Sequence, residues 1–215
     1  MAHNYQKRVE SDTKMGVVTF SSFCSPDEIL SLSFKESFTK YPRYNPIISN
    51  KKTLAKAATQ PDTNVTLAFN SDEDVVGFSI LEYSSPDERW NKVGEKVMME
   101  VSVIEVSRPW RSLGISKKML DLLLDHPLKE SRIIYMVGYS WTWDLEGSGL
   151  QPMNYRDQMI KLFSTNDFKI AQTNEPNILL RPENLFMVRI GANISEKMKK
   201  RFSLVRFNID PSIDD

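Results

Sequence analysis

The passage from Val97 to Lys117 constrains what this chain can fold into more than any other. Val97, Met99, Val101 and Val103 are apolar at odd positions, and Ile104 and Val106 are then apolar at even ones. Alternation of period two marks a half-buried strand. A change of phase inside it requires one extra residue, a β-bulge, expected here between 103 and 104. Such a bulge turns Glu105 onto the face of Glu100 and Ser102, collecting two carboxylates and a hydroxyl on one side of the strand. The chain then runs through Val106-Ser107-Arg108-Pro109-Trp110-Arg111-Ser112-Leu113-Gly114-Ile115-Ser116-Lys117 into a leucine-rich helix predicted from Gly114 to Asp125. Small residues at a helix start let backbone N–H groups approach an anion, which the helix dipole also favours. The turn reads R-x-x-G-x-S. It lacks the G-x-x-x-x-G-K-S/T of a P-loop and the three glycines of a dinucleotide fold, so neither of those phosphate sites fits.

The elements around this passage follow from periodicity and punctuation. A β-rich run from Met15 to Phe23 ends at Ser25-Pro26-Asp27-Glu28, where a capping serine, a proline at the first helical position and two acids open a helix predicted to Phe38. Tyr41-Pro42-Arg43-Tyr44-Asn45-Pro46 breaks it, and Lys51 to Thr59 reads as a second, short helix. Val65 to Phe69 and Val75 to Tyr83 form a hairpin across Asn70-Ser71-Asp72-Glu73-Asp74. After the central strand and helix, Ile133 to Tyr139 is a further strand. Strand, helix, strand in that order implies a parallel pair. A helix from Met153 to Thr165, strands at 168–172 and 185–190, and a basic amphipathic helix from Ser195 to Phe207 complete the chain. The expected fold is mixed α/β: a mostly antiparallel sheet with a splayed parallel strand pair and helices on both faces. The expected organisation is an N-terminal tail over 1–14, one domain over 15–191, and a C-terminal helix and tail over 192–215.

Composition removes several function classes. The chain's 215 residues carry 28 basic and 28 acidic side chains, so no broad electrostatic case exists for nucleic acid or an anionic membrane. One cysteine, Cys24, and two histidines cannot build a disulfide or a Cys/His metal cage, and no metal is expected. The longest uncharged apolar stretch, Ile133 to Trp143, is too short to span a bilayer, which needs about 20 residues. The first residues carry no apolar core after Lys7-Arg8, which is unlike a signal peptide, and the expected compartment is the cytoplasm.

The hairpin with Val75-Val76-Gly77-Phe78, the bulged strand, the R-x-x-G-x-S turn, the leucine-rich helix and the next strand together resemble the Gcn5-related N-acetyltransferase family over residues 15 to 191. That family's phosphate signature is Q/R-x-x-G-x-G/A, from which Ser116 departs. The resemblance implies acetyl-CoA as co-substrate, with its pyrophosphate on the backbone of Arg111, Ser112, Leu113, Gly114, Ile115, Ser116 and Lys117 and its thioester beside Ile104 and Val106. Downstream, Trp141-Thr142-Trp143-Asp144-Leu145-Glu146-Gly147, Thr173-Asn174-Glu175-Pro176 and the run from Met187 to Ser195 look like the acetoin-utilisation branch of that family. That likeness implies a protein lysine acetyltransferase whose partner is acetyl-CoA synthetase, switched off by acetylation of its catalytic lysine. A small-amine acetyltransferase and a non-catalytic acetyl-CoA-binding regulator are the alternatives.

Residue roles follow from the chemistry. A lysine acceptor with a pKa of about 10.4 is only ~0.1% neutral near pH 7.4, a penalty of roughly 4 kcal/mol, so a base must assist. Glu105 is the first candidate because it lies at the bulge. Glu100 is the second because it matches by position the glutamate of histone-modifying relatives. Arg108 and Arg111 carry guanidinium groups suited to the phosphates of CoA. Trp141 and Trp143 alternate along an extended segment and are candidates for the wall of the acceptor channel, against the ordinary packing role of aromatic residues. Many relatives protonate the leaving thiolate with a tyrosine at the position that Phe163 occupies here, so no general acid is assigned. Cys24 lies far upstream without a histidine partner, which favours direct transfer over a covalent enzyme intermediate.

Overall fold

The computed structural model describes residues 5–34, 38, 41, 44, 46–48 and 50–211. The chain divides into two compact units, one of residues 1–82, 102–126 and 142–150, the other of residues 83–101, 127–141 and 151–215. Elements follow in chain order: β1 (Arg8–Thr13), β2 (Gly16–Ser21), α1 (Pro26–Ser31), α2 (Lys51–Ala57), β3 (Asn64–Asn70), β4 (Val75–Tyr83) and β5 (Met98–Val106). Then come α3 (Ile115–Leu123), β6 (Ile133–Gly138), α4 (Leu145–Ser148), α5 (Pro152–Ser164), β7 (Lys169–Ile170), α6 (Pro176–Leu179), β8 (Leu185–Ile190) and α7 (Glu196–Val205).

In the first unit the strands run β1-β2-β3-β4-β5. The β1–β2, β2–β3 and β3–β4 pairs are antiparallel. Alternation sorts side chains to two faces. On one, Leu67, Phe78, Ile80 and Val103 pack against Ile29 of α1 and Leu54 of α2. On the other, Phe20, Ala68 and Val76 pack against Ile115 and Met119 of α3. The buried Asn64 ties α3 to the sheet: its Nδ2 donates to Leu122 O at 3.3 Å and Leu123 O at 3.0 Å, supplying partners for carbonyls that a helix end leaves unpaired. In the second unit the order is β5-β6-β8-β7. Here β5 and β6 pair in parallel over Met98–Glu100 and Ile133–Tyr135 only, and the β6–β8 and β7–β8 pairs are antiparallel. α7 buries Phe202 and Val205 in a cluster with Trp90, Tyr135 and Phe186, while its lysines 197 and 200 stay exposed. The fold is the mixed, mostly antiparallel α/β arrangement that the sequence predicts, with one parallel pair. No helix among the described residues is long and apolar enough to cross a membrane.

Three features differ from the sequence reading. Residues 8–13, set apart there within a tail, form β1 and pair along their whole length with β2. A register slip falls in β4, where Ala68 pairs with Gly77 but Phe69 with Val75, leaving Val76 as the extra residue. In β5, Val103 packs with the α1 and α2 side whereas Ile104 and Val106 pack with the α3 side, so the faces alternate regularly from 103 to 106, where the apolar pattern suggested a slip. Of the predicted helix to Phe38, Pro26–Ser31 is helical. Residues 35–37, with Pro42, Arg43 and Asn45 of the predicted break, lie outside the described residues.

Candidate active site

Where β5 ends, Ser107 N–H donates to Val76 O at 2.9 Å, holding the strand end against β4. Arg108–Trp110 then make a single 3-10 turn. Two left-handed residues follow, Ser112 at φ 62° and Gly114 at φ 77°. No heavy atom lies within 4 Å of a Cβ placed on Gly114, so the backbone conformation and not crowding calls for glycine there. Gly114 stands at the N-terminus of α3, where no side chain caps the helix and no acid occupies the first turn. By contrast α1 and α7 are capped by Ser25 and Ser195 and have acids in their first turns. The first N–H groups of a helix have no partner within it. At α3, Ile115, Ser116 and Lys117 therefore present donors with the dipole behind them, a set suited to an anion.

Glu105 sits at the other side of this turn with a side chain 16% exposed. Tyr44 Oη donates to one of its oxygens, and Arg111 Nη2 donates to the other at 3.1 Å. Burial raises the Glu105 pKa above the ordinary glutamate value, although the Tyr44 hydrogen bond and the Arg111 charge work against it. The carboxylate therefore titrates above the ordinary glutamate value while keeping fixed partners. Arg111 is itself anchored, with Nε donating to Val106 O at 2.9 Å and Nη1 to Asp144 at 2.6 Å. Arg108 donates to both oxygens of Asp144, at 2.8 Å each, and its guanidinium lies 3.6 Å from the centroid of the Tyr41 ring. Arg108 and Arg111, predicted for the phosphates, are thus gathered on a carboxylate instead.

Asp144 caps α4, accepting from Gly147 N–H at 2.9 Å, and its side chain is 1% exposed. Burial alone pushes its pKa up. Hydrogen bonds from Arg108, Gly147 and Arg111 more than offset that and hold it below the usual aspartate value. A Cβ on Gly147 would lie 2.2 Å from Asp144 Oδ2 and 2.3 Å from Arg108 Nε, so the pair closes only because this residue has no side chain. The sequence reading did not single out Asp144, Tyr41 or Tyr44 as functional. A signal for Asp144 was available: Asp-x-x-Gly directly after an aromatic run marks a helix cap. Nothing local pointed to the tyrosines.

Glu100 lies in the second unit. Tyr135 Oη bonds Glu88 at 2.8 Å, Ser84 at 3.1 Å and Glu100 at 3.3 Å. Burial, and then the charge of Glu100, push the Tyr135 pKa far up, so this phenol stays neutral. Tyr135, Glu88 and Glu100 line a cavity of about 320 Å³ that also receives Arg89, Tyr139 and Glu175. Trp141 is 52% exposed, stacked on Tyr139 at 4.6 Å, whereas Trp143 is 8% exposed. The segment that carries them is not extended: Ser140–Thr142 form a 3-10 turn, and α4 begins two residues after Trp143. The alternation along an extended segment that the sequence suggested does not hold over this turn. Phe163 is buried with its ring edge-on to Phe168 at 5.2 Å, which leaves no acid at that position. Burial, reinforced by Glu28, pushes the Cys24 thiol up to about 12, so it has almost no thiolate to offer as a nucleophile at neutral pH.

No family model matches the chain. It is 27% identical over 206 residues to the acetoin utilization protein AcuA of Bacillus licheniformis, covering 96% of both chains. It is likewise 27% identical over 195 residues to AcuA of Bacillus subtilis, covering 91% of both. The crystal structure of an acetoin utilization protein from Exiguobacterium sibiricum shares the fold with a TM-score of 0.84 at 24% identity, over 94% of this chain and 95% of that one. Over nearly its whole length the chain resembles the acetoin utilization proteins AcuA, and it shares the fold of one acetoin utilization protein of known structure.

Proposed function

We propose that the protein transfers the acetyl group of acetyl-CoA to the catalytic lysine of acetyl-CoA synthetase, with Glu105 as the base. The observation that carries this reading is the pairing, within one strand, turn and helix start, of a buried carboxylate of raised pKa with an uncapped helix N-terminus free of acids. The likeness to acetoin utilization proteins supports the choice of acceptor. In the transfer the lysine ammonium gives a proton to Glu105, the neutral amine attacks the thioester carbon, the tetrahedral adduct gives its second amine proton to water as the C–S bond breaks, and CoA leaves as thiolate to be protonated by solvent. The backbone near Val106 is the proposed partner of the thioester carbonyl. The N–H groups of Ile115, Ser116 and Lys117 take the pyrophosphate, a role for which Arg108 and Arg111, already engaged with Asp144, are not required.

Calorimetric titration with acetyl-CoA tests the cradle. Ser116→Asp puts an anion beside the phosphate donors and is expected to weaken acetyl-CoA binding by about tenfold. Equal affinity in both proteins would remove α3 from the binding site.

The cavity around Glu100 favours a second reading, a small-amine acetyltransferase. Glu88, Glu100 and Glu175 suit an ammonium group, and about 320 Å³ suits a small metabolite. A panel of polyamines and amino sugars, assayed for CoA release beside acetyl-CoA synthetase, separates the two by which acceptor is turned over.

A further inference from the structure

Asp144 is the hub of the first unit's charged groups, yet it bonds none of the atoms assigned to the reaction. It receives Arg108 through both carboxylate oxygens and Arg111 through one, and the same Arg111 reaches across to Glu105. Two cations therefore converge on one buried anion, and one of them also touches the proposed base. We propose that Asp144 is a positioning residue, which fixes Arg111 beside Glu105 and balances the guanidinium charge so that Glu105 remains basic instead of becoming a permanently ionised salt-bridge partner. The inference rests on the reading of Glu105 as the base.

The charge count around Glu105 supports it. Tyr44 donates to Glu105 from the segment before α2, and Tyr41 from the same segment lies against Arg108. Arg108 and Arg111 come from the turn after β5, and Asp144 and Glu146 from α4. Glu146 sits 3.5 Å from Arg108 but is 46% exposed, so solvent screens it. Asp144, at 1% exposure, is the screened pair's only buried counterweight among these groups. Asp144 also raises the Glu105 pKa through its own charge, and without it the Arg111 guanidinium acts on Glu105 almost unopposed. An adjacent cation stabilises a carboxylate and makes it a weaker base.

The test is the pH dependence of kcat at saturating acetyl-CoA and acceptor. Asp144→Asn is expected to move the acid limb to lower pH and to reduce the plateau by about tenfold, since a weaker base transfers the proton less well. Arg108→Met removes one of the opposing cations and leaves Asp144 charge in excess, so its acid limb is expected to move the other way, to higher pH. A merely structural Asp144 predicts lower activity with the limb unmoved, and limbs that stay put or move together in the two variants overturn the proposal. If circular dichroism shows that Asp144→Asn does not fold, the direction of the Arg108→Met limb alone decides. Glu105→Gln in the same series separates the two failures. Full turnover in that variant rejects Glu105 as the base, whereas lost turnover with unmoved limbs in the other two rejects only the role of Asp144.

Discussion

Replacing Glu105 by glutamine is expected to lower kcat by about 10²-fold or more and to leave acetyl-CoA affinity unchanged. The substitution is nearly isosteric. Its carbonyl oxygen can still accept from Arg111, and the Tyr44 hydroxyl can turn to accept from the amide N–H, so the contacts that hold the end of β5 are largely kept. What is lost is a group able to take the proton of a lysine ammonium. Because the phosphate donors belong to α3 and not to Glu105, binding and turnover separate cleanly. Burial raises the Glu105 pKa, so the unaltered enzyme should show an acid limb above the ordinary glutamate value, where the base becomes protonated. Glu105→Gln should abolish that limb together with most of the rate. Equal kcat in the two proteins, measured by CoA release, would assign proton transfer to another group, with Glu100 the next candidate.

The largest loss of stability is expected from Gly147→Ala. The added methyl overlaps Asp144 Oδ2 and Arg108 Nε, so the bidentate pair must open or the single turn of α4 must unwind. Either outcome strands a carboxylate that is buried and partnered in the native protein, and breaking a buried pair costs about 3–5 kcal/mol. For a chain of this size that corresponds to a fall in Tm of about 10 °C. Gly147 does not have a positive φ, unlike Gly149 two residues on, so the cost is steric and not conformational. The arginine partners hold Asp144 below its ordinary pKa, and the native stability they add is complete above about pH 4 and lost as pH falls through that depressed value. The gap in Tm between the two proteins should therefore be full at neutral pH and narrow in acid. An unchanged Tm at pH 7 would contradict the geometry of the Asp144 cluster.

What the sequence made legible was local. β4 at Val75–Tyr83 and β8 at Leu185–Ile190 have the predicted bounds, because apolar runs between polar turns mark buried strands. The turn into α3 was legible for the same kind of reason: Gly114 and the small residues around it report a backbone conformation directly. β1 escaped because Arg8–Thr13 lies largely exposed and has no apolar face to create periodicity. The phase change read in β5 misled because both faces are apolar there: Val103 packs toward α1 and α2, and Ile104 and Val106 toward α3. The partners of Glu105 and Arg111 were out of reach for a different reason. Tyr44 is 61 residues from Glu105, and Asp144 is 33 from Arg111, so only the fold brings them together. Gly147 carried no local signal, because its demand for glycine comes from two side chains, one of them distant in sequence.

The central claim is acetyl transfer to a protein lysine through Glu105, and mass spectrometry of purified acetyl-CoA synthetase tests it most directly. The synthetase is incubated with acetyl-CoA and either the unaltered protein or Glu105→Gln, then weighed intact and digested. The expected result is one lysine acetylated by the unaltered protein alone, at the residue needed for synthetase activity, with that activity lost in proportion. A synthetase of unchanged mass, beside a protein that demonstrably binds acetyl-CoA, would contradict the assigned acceptor.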